Sequence, residues 1–209
     1  MYDEAIANIK EAMTISPRDA KFSAQLADMY RAQNRMEPAI AAMQQAVEFD
    51  PHNGSMQQLL LRTLIETGRY DEAVTTSQKL LKKFPMNLLA RYVLGIVYLQ
   101  QGMLDQALKV TDELINLAPA DSANHFKKAV LLQQKGEIAA AMTAFMRTLE
   151  LDPHGEMADD TREAIAALDS YQLRQVLTVA LEDAVFRAKL AIDPNAALAE
   201  RGFRLSMSG

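Results

Sequence analysis

Five of the seven prolines, Pro17, Pro51, Pro85, Pro119 and Pro153, stand 34 residues apart. Proline has no N–H and disfavours helix in the residue before it, so proline at a fixed interval ends a helix at a fixed interval. With this proline content, four further hits at one period arise by chance on the order of 10⁻⁶. A period of this length marks a stacked array. Each unit is one supersecondary element that buries its apolar face only against its neighbours.

Full units run over 20–53, 54–87, 88–121 and 122–155, and each holds two helical stretches around a break. The break carries Asn34, Gly68, Gly102 or Gly136, the residue types that accept a left-handed backbone after a helix end. The second stretch ends at the proline, twice as Asp-Pro (Asp50-Pro51, Asp152-Pro153). An alanine recurs in that stretch at Ala5, Ala39, Ala73, Ala107 and Ala141, where a methyl group lets two helices approach closely. The first stretch sets Leu26-Ala27, Leu60-Leu61 and Leu94-Gly95 three or four residues before Tyr30, Leu64 and Tyr98, all on one helical face. Aromatics are 6%, Trp is absent and Gly is sparse, a helical balance. The expected fold class is all-α.

Composition narrows the function. There is no Cys in 209 residues, hence no disulfide framework, thiolate metal site or cysteine nucleophile. Lys and Arg number 22 against 27 Asp and Glu, a net charge of −5, which argues against nucleic acid as a partner. No run of 18 apolar residues occurs, so membrane insertion is not expected. No basic-then-apolar leader opens the chain, and the expected compartment is cytoplasmic.

Catalytic patterns are missing too. No Gly-rich phosphate loop, HExxH or GxSxG is present. His52, His125 and His154 fall in separate units, too scattered for a metal site. Asp159-Asp160 with Glu163 reads as acid placed at a helix N-terminus. Lys82-Lys83 and Lys127-Lys128 read as solvated helix faces. The expectation is a protein that is not an enzyme, with no cofactor and no metal.

These residues resemble the tetratricopeptide repeat (TPR) family. That family's 34-residue unit carries a large residue, Leu-Gly and Tyr in its first helix, then Ala, an aromatic and Ala in its second, and closes on Pro. The unit 88–121 fits best through Leu94, Gly95, Tyr98, Ala107, Leu114 and Pro119. The unit 122–155 has Lys128 where Leu is usual but keeps Ala129, Ala141, Phe145 and Pro153. The aromatic that opens the family's first helix is replaced by Ser23, Gln57, Arg91 and His125. The resemblance covers residues 1–155. It implies a right-handed superhelical solenoid of stacked antiparallel helix pairs, with the first helices lining a concave inner face.

Both ends depart from the full unit. Residues 1–19 align with a second helix alone, a half repeat that would expose Ile6, Ile9 and Met13. That predicts either further repeats upstream or another chain on the open face, and so a homo-oligomer through the half-repeat. Residues 156–209 break the period. They read as a helical cap or a degenerate fifth repeat: a helix over 156–168, a longer helix capped by Ser170 and running to about Ile192, a short helix over 195–201, and a frayed Ser206–Gly209 tail.

The resemblance makes the inner face the working surface. Carried over residue by residue, it comprises Gln58 and Arg62, then Leu89, Tyr92, Val93, Ile96 and Leu99, then Phe126, Lys127 and Val130. Its apolar part has two readings: core covered by residues 156–192, or a groove for an amphipathic helix or extended peptide anchored on Tyr92 and Phe126. The two-carboxylate clamp of the family's co-chaperones is not expected, because Asp28, Arg62, Ile96 and Val130 occupy one of its columns. The implied function is an adaptor or scaffold that binds a protein or peptide partner. The alternatives are the repeat module of a longer enzyme, such as a glycosyltransferase, or a self-assembling structural scaffold.

Overall fold

The computed structural model describes residues 2–206. Among them it shows helices and no strand: α1 (Tyr2–Ile15), α2 (Ala20–Ala32), α3 (Met36–Phe49), α4 (Gly54–Glu66), α5 (Tyr70–Lys83), α6 (Leu88–Gln100), α7 (Leu104–Leu117), α8 (Ser122–Gln134), α9 (Ile138–Leu151), α10 (Ala158–Glu182), α11 (Ala184–Ile192) and α12 (Pro194–Glu200). The fold is an all-α helical-repeat solenoid. The chain forms two compact units, Met1–Val97 and Tyr98–Gly209, divided within α6.

Each repeat is punctuated twice. At the breaks, Asn34, Gly68, Gly102 and Gly136 have φ of 57°, 72°, 70° and 79°. The residue after each returns its N–H to a carbonyl in the last turn: Arg35 to Tyr30, Arg69 to Leu64, Met103 to Tyr98 and Glu137 to Leu132, at 2.8–2.9 Å. This left-handed closure satisfies carbonyls that the helix end leaves open. At the starts, Asp19, Asn53, Asn87 and Asp121, again 34 residues apart, accept backbone N–H groups of Lys21, Met56, Ala90 and Ala123 at 2.9–3.1 Å. A short acceptor at the N-cap satisfies one of the helix's free donors.

Packing follows the small residues. Ala39, Ala73, Ala107 and Ala141 are buried, as are Ala27, Leu61 and Ala129 on the first helices. In the first unit, α1 to α5 pack in succession around Leu26, Tyr30, Ile40, Met43, Leu60 and Leu64. Ile6 is buried there, with Ile9 and Met13 half-buried against it. The expected exposure of these three residues is therefore wrong, because α1 lays this face on α2. In the second unit, α7 to α10 pack in succession, with Leu132, Met142, Phe145, Ile165 and Leu168 at one centre.

The C-terminal region corrects the sequence reading. No break occurs near Ser170: α10 runs through it for 25 residues, and the Ser170 hydroxyl donates back to the Ala166 carbonyl at 2.9 Å instead of capping a helix. The break comes at Asp183, which caps α11 by accepting the Phe186 N–H at 2.9 Å. Val176 is buried, while Leu173, Leu177, Leu181 and Val185 are exposed. Ser206 is also not frayed, because Asp169 holds its N–H. Residues 207–209 of the expected tail lie outside the described residues. Among the described residues, no helix is long and apolar enough to cross a membrane.

Candidate functional site

The expected inner-face residues sit on α4, α6 and α8. Each helix begins at an Asx cap, which fixes where its faces start. On α4, Gln58 and Arg62 are exposed one turn apart. Arg62 Nε donates to Glu66 at 2.9 Å along the same helix. Such an exposed pair in water contributes little to stability and leaves the surface polar.

On α6, five expected residues separate into two faces. Val93 is 4% exposed and belongs to the first core, and Leu89 is half-buried against it. Val93 offers no free apolar surface, and Leu89 offers only part of its side chain. Tyr92 is half-buried, and Ile96 and Leu99 are 46% and 39% exposed. Tyr92, Ile96 and Leu99 lie at i, i+4 and i+7, on one helical face. Leu88, one turn before Tyr92, and Met103, just past the helix, are exposed as well. Sequence reasoning missed both as surface residues. Their apolar character was visible, but exposure is decided by what packs on them.

On α8, Phe126 is half-buried with its ring edge-on to Phe145, centroids 5.8 Å apart. Val130 is half-buried against the same cluster. Both combine core packing with residual surface. Lys127 is exposed. Its ammonium pKa is lowered from the ordinary lysine value by partial desolvation, which the Asp121 carboxylate opposes.

The polar residues that replace the family's aromatic have a structural task. Gln57 Nε2 donates to the Pro51 carbonyl at 2.6 Å, Arg91 Nη1 to the Pro85 carbonyl at 2.5 Å, and His125 Nε2 contacts the Pro119 carbonyl at 3.1 Å. His52 packs edge-on to Phe84, centroids 4.9 Å apart. Two of the three histidines thus serve turns.

Comparison with known proteins agrees with this architecture. Profiles described as tetratricopeptide repeat match residues 1–63, 31–85, 64–127 and 123–154. A search of curated proteins finds no match to the sequence. Among solved structures, MamA aligns with a TM-score of 0.58 and 20% identity, over 72% of this chain and 88% of that one. YrrB, described as a TPR protein with an unusual peptide-binding site, aligns at 0.60 and 17% identity, over 78% and 84%. A MamA fragment from Desulfovibrio magneticus RS-1 aligns at 0.57 and 17%, over 74% and 88%. Identities this low speak to fold alone.

Proposed function

Because the chain belongs to the tetratricopeptide repeat family, we propose that it is a protein-interaction scaffold that captures an amphipathic helix or extended peptide of a partner on the exposed face of α6. The units 20–53, 54–87, 88–121 and 122–155 act as the repeats, the half-unit 1–19 precedes them, and 156–209 closes the array. The work is binding and not catalysis.

One observation carries the reading: Ile96 and Leu99 stand exposed beside Tyr92 on a helix whose opposite face is core. Apolar side chains aligned on one exposed helical face are the usual anchor for a partner. Gln58 and Arg62 on α4, and Phe126, Lys127 and Val130 on α8, supply polar and mixed contacts on their own helices. The rigid caps and left-handed breaks hold these helices before binding, which lowers the ordering cost of capture. The description of YrrB as peptide-binding supports the same class of ligand.

The test is affinity capture from the native lysate, read by mass spectrometry, with the unmodified chain beside an Ile96→Glu/Leu99→Lys variant. Both positions are exposed, so the variant keeps its fold, checked by circular dichroism. A partner held by the first and lost by the second supports the reading. Equal capture by both removes α6 as the site.

A further inference from the structure

Two buried polar side chains on α10 bond to a segment outside the helices. Gln172 is 2% exposed and Asp169 is 5% exposed. Gln172 Nε2 donates to the Arg204 carbonyl at 2.7 Å, and its Oε1 accepts the Arg204 N–H at 2.8 Å. Asp169 Oδ1 accepts the Ser206 N–H at 2.8 Å, and its Oδ2 accepts the Ser206 hydroxyl. One residue before Arg204, the Phe203 ring packs against the cluster of Val176, Phe186 and Ala197, its centroid 6.5 Å from that of Phe186.

A receptor can hold a peptide by the same kinds of contact. A side-chain amide reads one residue's backbone in both directions. A carboxylate reads the N–H and hydroxyl two residues on. A ring fills an apolar site. Residues 203–206 belong to no helix or strand, and side chains of α10 supply their hydrogen bonds.

We infer that this face of α10 is a receptor for a segment of the pattern aromatic, any, any, Ser or Thr, that the chain's own residues 203–206 occupy it, and that a partner chain carrying that pattern displaces them. The burial of Gln172 and Asp169 sets the ligand class. Left empty, both would forfeit bonds they cannot recover inside a packed surface. The resident segment therefore leaves by exchange with one that offers the same backbone groups and hydroxyl. Phe203 borders two clefts of about 570 and 360 Å³ that share Tyr171 and Gln175, which gives an incoming chain a point of entry. The site is separate from α6 and stands whether or not α6 binds a partner.

The experiment titrates a fluorescein-labelled, end-capped peptide, Arg-Gly-Phe-Arg-Leu-Ser, into the full chain and two full-length variants, followed by anisotropy. Phe203→Ala removes the resident ring, and Ser206→Asp sets a second carboxylate against Asp169. A tethered segment competes at roughly millimolar effective concentration, so the unmodified chain should bind the peptide about tenfold or more weakly than either variant. Adding Gln172→Ala to a variant, or methylating the nitrogen of the peptide's second arginine, should weaken binding about tenfold or more by deleting the backbone reading. No saturable binding by either variant overturns the proposal. So does binding that survives both Gln172→Ala and the N-methyl group.

Discussion

Gln57 ties two repeats together. Its Nε2 donates to the Pro51 carbonyl at 2.6 Å, while its Oε1 accepts Asn87 Nδ2 at 2.8 Å. Asn87 is itself the cap of α6, accepting the Ala90 N–H at 2.9 Å. One buried amide thus links the turn before α4 to the start of α6. Arg91 and His125 repeat the first half of this link on Pro85 and Pro119. Ser23 is too short to do so and donates instead to Gln45 at 3.4 Å.

Gln57→Ala should therefore destabilise the chain by about 1–3 kcal/mol, because it strands a carbonyl and an amide N–H at a buried position. His125→Ala, at a more open contact, should cost under about 1 kcal/mol. Urea unfolding followed by circular dichroism measures both. Equal losses at the two positions would contradict the link assigned to Gln57.

The left-handed positions predict changes of opposite sign. Asn34 holds φ of 57° where the other repeats use glycine, so Asn34→Gly should be neutral or stabilising by up to about 1 kcal/mol. At Gly136, φ of 79°, an added Cβ meets nothing within 4 Å. Gly136→Ala should still cost about 1–2 kcal/mol through backbone strain alone. Thermal melts of the two variants moving in the same direction would refute this assignment.

The cap series breaks at Gly155, 34 residues after Asp121. The helix after it starts later, at Ala158, so an Asx residue at 155 would cap nothing. A Cβ there would stand 1.9 Å from Asp152 Oδ2, the far end of a flexible side chain, so in Gly155→Asn that carboxylate must swing aside. The variant should cost under about 1 kcal/mol. A larger drop in the urea midpoint would contradict this.

Acid should loosen α11 and α12. The Phe186 N–H bond, aided by Arg201, holds the Asp183 carboxyl below its ordinary 3.8, and the Lys189 hydrogen bond holds Glu200 below its ordinary 4.5. For a carboxylate whose folded pKa is depressed, the stabilisation is complete above the unfolded value and is lost as pH falls through the folded one. Protection of the Phe186 amide against hydrogen exchange should thus be flat above about pH 5 and fall below about pH 4. Constant protection across that range would contradict the role assigned to these two carboxylates.

The repeat was legible because it rests on backbone chemistry that few residue types supply. Proline at the stops, glycine or asparagine at the left-handed breaks and alanine at the close approaches all mark their own places. The Asx caps at 19, 53, 87 and 121 carry the same period and were there to be found. The surface was less legible. Val93 and Ile96 are both β-branched and three residues apart on α6, yet one is core and the other exposed. Only the neighbours decide that. Ser170 read as a cap because serine caps helices, but a serine inside a helix also bonds back to the preceding turn. Gln172 and Asp169 gave no signal, since polar residues on a helix ordinarily face water and their partners lie more than thirty residues away.

Photo-crosslinking from position 96 tests the central claim most directly. A photoreactive phenylalanine analogue replaces Ile96 on the exposed face of α6, and a control chain carries it at Lys79, exposed on α5. Irradiation in the native lysate should give a discrete protein adduct from position 96 and not from position 79, lost when Leu99→Lys is added. Adducts from position 79 alone, or the same adducts from both positions, would contradict capture on α6.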